Sequence, residues 1–127
     1  MITSISIPEE HQPYITRLVD EKGRSVIVNS SSRGDAERLS PSQLLAAGLA
    51  GCMSMTAKGM MFQAGLSYND VTVTCDMVKE DEKYVFVYDL KIDSDEDPAA
   101  VEEIRKKASE GCYVRNILAS GPETREK

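Results

Sequence analysis

Three cysteines, Cys52, Cys75 and Cys112, are the residues of this 127-residue chain best suited by type and position to covalent chemistry. A thiolate is both a nucleophile and a metal ligand, and its reactivity follows its pKa. No two of the cysteines stand at metal-ligand spacing, and none stands so with His11, the single histidine. His11 lies near the N-terminus beside Pro13 and reads as a solvated loop residue. The chain has no Gly-rich phosphate loop and no Gly-x-Ser-x-Gly elbow. The charged runs Lys79–Lys83 and Asp93–Asp97 read as solvated surface, the second lacking the glycine and distal glutamate of an EF-hand.

The three cysteines differ in setting. Cys75 shares the apolar face of a strand with Val73 and Met77, the place of a small buried hydrophobe. Cys52 stands midway along an apolar helix, one turn after Gly48 and beside Gly51. Ala47, Ala50, Gly51 and Ser54 make a stripe of small residues there, where another backbone can come close. Packing and chemistry both account for Cys52. Cys112 follows Gly111 at the start of a short helix, where unpaired N–H groups and the helix dipole lower a thiol pKa, and Arg115 adds a positive charge one turn on. An ordinary helix-boundary residue accounts for Cys112 equally well.

The elements that must position these residues are legible in the pattern. Residues 14–19 and 24–28 read as strands around an Asp20–Gly23 turn, and the polar stretch from Asn29 to Arg38 reads as a loop. Ser40, Pro41 and Gln43 then supply N-cap, first helical residue and capping-box partner for a helix running to Ala64 and stopped by Gly65. Such a helix spans about 36 Å and is apolar or small on nearly every face, so burial on nearly all sides is expected. Met53, Met55, Met60 and Phe62 line either a pocket beside Cys52 or plain core. Residues 71–78 and 84–92 alternate as two strands of a hairpin joined through Lys79–Lys83. Asp97 and Pro98 open a second helix ended by Gly111, and a third runs through Leu118 before a polar tail. Strands, long helix, strands and helices make an α+β domain, with residues 1–127 as one unit and about 120–127 as tail.

Composition removes several classes of function. Fifteen basic against twenty-one acidic residues leave a net charge of −6, the wrong balance for a phosphate-backbone partner, so no nucleic acid is expected. Hydrophobic residues at 41% place the chain among globular proteins rather than disordered ones. Leu39–Leu66, whose one charge is Lys58, is rich in small and weakly polar residues, which argues for a helix inside protein and against a membrane partner. Three cysteines are too few for a secreted disulfide scaffold, and Met1–Glu10 lacks the pattern of a signal peptide, so a reducing cytoplasm is the expected compartment.

The run Leu39-Ser40-Pro41-Ser42-Gln43-Leu44-Leu45-Ala46-Ala47-Gly48-Leu49-Ala50-Gly51-Cys52 resembles the signature helix of the OsmC/Ohr family, proteins known for osmotic induction and organic hydroperoxide resistance. Gly111-Cys112-Tyr113-Val114-Arg115-Asn116-Ile117-Leu118 resembles that family's second cysteine motif, and the order of elements is similar from Tyr14 to Ala119.

This resemblance implies an OsmC-like fold, antiparallel strands around a long buried central helix, in an intertwined homodimer with two sites at the subunit interface. It implies a thiol peroxidase with no metal or organic cofactor, acting on organic hydroperoxides and restored by a dithiol reductant. By position, Cys52 matches the peroxidatic cysteine and Cys112 the resolving one, while Arg17 or, in competition, Arg24 matches the arginine that stabilises the thiolate. Where peroxidase members carry a glutamate that holds this arginine, Ser42 and Gln43 stand here, with Glu37 as a nearby carboxylate. Tyr113 replaces the proline common in the second motif, and Arg115 takes a place often held by a small residue. The alternative is a non-catalytic dimer of the same fold that binds a small apolar ligand or a protein partner.

Overall fold

The computed structural model describes residues 1–7, 14–30 and 37–127, so His11 lies outside the described residues. Contacts divide the chain into two compact units, Met1–Leu45 and Ala46–Lys127.

The first unit is an antiparallel meander of β1 (Ile2–Ser6), β2 (Thr16–Asp20) and β3 (Ser25–Val28). Pairing runs from Ile2 opposite Asp20 to Ser6 opposite Thr16, and from Thr16 opposite Val28 to Val19 opposite Ser25. The β2–β3 turn is held by the Asp20 carboxylate. It accepts the backbone N–H groups of Lys22 and Arg24 at 2.9 Å each and an ion pair from the Arg24 guanidinium at 2.6 Å. Gly23 there has φ +80°, a conformation that suits glycine. β1 has no counterpart among the strands expected from sequence; its isoleucines, Ile2 and Ile5, stand three apart among Thr3 and serines, too weak a pattern to stand alone.

The helix α1 (Pro41–Gln63) starts in this unit and continues into the next. Its expected capping box is present. The Ser40 N–H donates to Gln43 Oε1 at 2.9 Å, and the Gln43 N–H donates to Ser40 Oγ at 3.3 Å. Gly65, with φ +69°, closes the far end.

The second unit adds a long hairpin, β4 (Asp70–Glu80) with β5 (Lys83–Asp93), then α2 (Pro98–Gly111) and α3 (Tyr113–Ala119). The strands reach further than their apolar alternation. Lys79 pairs with Tyr84 and Glu80 with Lys83, which leaves a two-residue turn with Asp81 at φ +54°. The charged run therefore extends the ladder rather than forming a five-residue connection. Pro98 is the first residue of α2 as expected, while the Asp97 side chain makes no cap hydrogen bond.

The core of this unit joins Leu49, Met53 and Ala57 of α1 to Val71 and Leu90 of the hairpin, Ala108 of α2, and Cys112. Met53 is fully buried, and burying a side chain of that size contributes about 2 kcal/mol. By length and apolarity α1 would pass for a membrane span, yet this core consumes one stripe of it. The expectation of burial on nearly all sides is not met within one chain. Met55 is 74% and Phe62 84% exposed, and a Cβ placed on Gly48, Gly51 or Gly59 would meet nothing within 4 Å. Within the second unit, one hairpin and two short helices cover one face of α1.

Candidate active site

Two of the three cysteines meet. Cys52, half-buried on α1, and Cys112, fully buried at the joint between α2 and α3, pack in one core cluster as neighbours that influence each other's titration, and both are free thiols. Gly111 permits this joint to pack tightly: a Cβ there would lie 3.3 Å from Met60 Cε. Asn116 ties the joint together, its N–H donating to the Cys112 carbonyl at 3.0 Å and its side-chain amide to the Glu110 carbonyl at 3.2 Å.

The two thiols are tuned in opposite directions. The Cys52 thiol is held below its ordinary value chiefly by the Val114 backbone N–H. Partial burial opposes that shift, and the Cys112 thiol, the Tyr113 N–H and the Thr56 hydroxyl add to it. Cys112 is pushed up, first by burial and then by the neighbouring Cys52, against the lowering effect of the Arg115 N–H. This reverses the sequence expectation for Cys112. Its position as N-cap leaves it buried, and burial outweighs the Arg115 and Val114 amides there. The Val114 and Tyr113 amides also act on the sulfur of Cys52. Tyr113 matters here because a proline in its place would have no N–H to offer.

Cys75 is half-buried on β4, packs against the core, and has its thiol raised by burial and by Asp76. It belongs to packing, as read from sequence. Arg17 is exposed on β2 of the first unit, opposite Ile5 and Ile27, while Arg24 is engaged by Asp20. Gln43 spends one lone pair of its acceptor oxygen on the Ser40 N–H. Glu37 is exposed in the bend before α1. Among the described residues no group of three or more His, Cys, Asp and Glu side chains gathers as for a metal ion.

A cavity of about 340 Å³ lies in the second unit, with neither Cys52 nor Cys112 among its walls. Its walls include Leu49, Phe86, Tyr88 and Leu118, which belong to the same cluster as Cys52 and Cys112. Tyr84 and Arg115 complete its polar side. Met55 and Phe62 take no part in it, being turned out to solvent, whereas Met53 is core. The aromatic residues of β5 were missed as cavity residues because alternation along a strand shows a face but not what that face meets. A larger cavity, about 540 Å³, lies in the first unit among Thr16, Val28, Asn29 and Ser40, and no cysteine lines it.

Fold and site together define an α+β protein with a long central helix and a dithiol whose two members differ in acidity. The OsmC-like protein family model matches residues 34–127, and the chain belongs to that family. An OsmC-like protein from Mycoplasma pneumoniae superposes with a TM-score of 0.74 at 17% identity, over 95% of this chain and 87% of that one. OhrB of Bacillus subtilis, an organic hydroperoxide resistance protein, superposes with a TM-score of 0.62 at 15% identity, over 95% and 92% of the two chains. An organic hydroperoxide resistance protein OsmC from Legionella pneumophila gives 0.61 at 17% identity, over 93% and 88%. A search of curated proteins found no match.

Proposed function

We propose that the protein is a cytoplasmic thiol peroxidase that reduces organic hydroperoxides, with Cys52 as the attacking and Cys112 as the resolving thiol. The observation that carries this reading is the opposed tuning of two neighbouring thiols in one cluster, one depressed and half-exposed, the other raised and buried. The organic hydroperoxide resistance named for the similar structures supports it.

In the first step the Cys52 thiolate attacks the terminal peroxide oxygen. The O–O bond breaks, the alkoxide leaves and takes a proton to become an alcohol, and Cys52 becomes a sulfenic acid. Cys112 sulfur then attacks the sulfenic sulfur, water departs, and a Cys52–Cys112 disulfide forms. A dithiol reductant exchanges with it twice, leaving both thiols restored and itself oxidised. The backbone amides of Val114 and Tyr113 stabilise the starting thiolate, and no arginine is among the groups that shift it. Arg17 keeps the role of a further stabiliser by resemblance, with Gln43 in place of the carboxylate that would hold it.

The working form in this reading is a homodimer. The uncovered face of α1, carrying Leu45, Met55 and Phe62 beside glycines, is too apolar to stay in water and offers a second copy a close approach. The net charge of −6 is consistent with small-molecule substrates rather than polyanions.

Thiol titration before and after a stoichiometric organic hydroperoxide tests the reading. The parent loses two thiols per chain. Cys112→Ser reacts once and leaves a sulfenic acid that a dimedone-type probe traps, and Cys52→Ser consumes no peroxide, since a serine hydroxyl stays protonated at neutral pH. No thiol loss in the parent, or unchanged consumption by Cys52→Ser, would overturn it in favour of a non-catalytic binder.

A further inference from the structure

The helix turn beside Cys52 holds a hydroxyl that no step of the reaction uses. The α1 positions one turn from Cys52 on its own face are Gly48, Leu49, Met55 and Thr56, and only Thr56 has a polar hydrogen on its side chain. Cys52 and Thr56 are both half-buried. Thr56 Oγ1 donates to the Cys52 carbonyl at 2.8 Å, so the hydroxyl leans back over the turn that bears the thiol. That carbonyl has a helical partner of its own in the Thr56 N–H, and it stays satisfied if the hydroxyl leaves. A hydroxyl has one proton to give, and a thiolate is a stronger acceptor than a neutral carbonyl. The same hydroxyl is among the groups that hold the Cys52 thiol low, after the Val114 N–H, the Cys112 thiol and the Tyr113 N–H. The titratable groups in or against this core cluster are Cys112 of the α2–α3 joint, Cys75 of β4 and Tyr88 of β5, and of these only Cys112 acts on Cys52. No charged side chain of α1, the hairpin, α2 or α3 is among the groups that shift it.

We propose that Thr56 is a further donor to the reacting sulfur, its hydroxyl turning from the Cys52 carbonyl to Cys52 Sγ when the thiol loses its proton. The thiol proton goes to solvent and Thr56 keeps its own. The O–O bond is then cleaved by the Cys52 sulfur as before. The part played in hydroperoxide reduction rests on the peroxidase reading, whereas the turn of the hydroxyl does not.

The test follows alkylation of Cys52 by iodoacetamide against pH, read by peptide mass, in the parent, Thr56→Val, Thr56→Ala and Thr56→Ser. Thr56→Val keeps the shape without the hydroxyl, Thr56→Ala does so with a better helix former should the first fold poorly, and Thr56→Ser keeps the hydroxyl. In Thr56→Val and Thr56→Ala the midpoint should rise by about half to one pH unit, the weight of one hydrogen bond to a charge less the neutral bond given up. Thr56→Ser should stay near the parent. Below the midpoint, that rise should slow hydroperoxide consumption by about three- to tenfold, with the plateau rate kept. A hydroxyl that serves only the carbonyl would leave the alkylation profile in place. An unmoved midpoint in Thr56→Val and Thr56→Ala therefore overturns the proposal, as does a Thr56→Ser midpoint that moves with theirs. Should the parent consume no hydroperoxide, the peroxidase reading falls alone, and the alkylation profile still decides the role of Thr56.

Discussion

The acidity of Cys52 depends on donors that belong to the backbone, which makes it testable without touching either sulfur. Tyr113 is the informative position. Its side chain is 73% exposed, it is the first residue of α3, and Cys112 before it has φ −66° and ψ 118°, the extended backbone that a following proline requires. Tyr113→Pro therefore removes one N–H from the Cys52 sulfur while leaving the helix start intact. The Val114 N–H, the larger influence, remains. The sign follows directly: a depressed thiol pKa means that thiolate forms at lower pH, so the rate of reaction with a hydroperoxide should climb with pH and level off below the ordinary thiol range. In Tyr113→Pro the same profile should shift to higher pH, with the plateau rate retained. A profile that does not move would mean that the Tyr113 amide does not serve Cys52.

At the scale of elements, what could be read from sequence was what is encoded locally. The capping box at Ser40 and Gln43, the stop at Gly65, and the Pro98 start of α2 each rest on residues within four positions of one another, and each is present. The hairpin was legible in its alternation, though Lys79–Lys83 was misplaced into the turn: charged side chains tolerate a solvent-facing ladder, and Asp81 adopts the positive φ that the tight turn needs. β1 escaped because its pairing with β2 is not written in its own weak pattern. The candidate site divides in the same way. Cys52 and Cys112 were singled out by their places on helices, but which of them α3 would acidify depends on how α3 meets α1, sixty residues earlier in sequence. The cavity of β5 aromatics and Arg115 is a product of packing alone.

For the whole molecule, the exposed face of α1 carries the proposed dimer. A chain of 14.0 kDa that leaves Phe62 and Met55 in water should sediment at about twice that mass at micromolar concentration. A folded 14.0 kDa monomer under those conditions would refute the dimer. The meeting of Cys52 with Cys112 has a further result that concerns the chain as a polymer. A bond between them is a chord from the middle of α1 to the joint of α2 and α3, and it closes a ring of about 60 residues that holds the entire β4–β5 hairpin and α2. Closing a ring of that size costs the denatured chain on the order of 4 kcal/mol of entropy, which a pre-aligned native pair does not pay again. Redox state thus becomes mechanical state. The oxidised protein should melt several degrees above the reduced one in calorimetry, and equal melting temperatures would show that no such ring closes. Each turn of the cycle would tighten the molecule and then slacken it, and the reductant has to supply the work of the slackening.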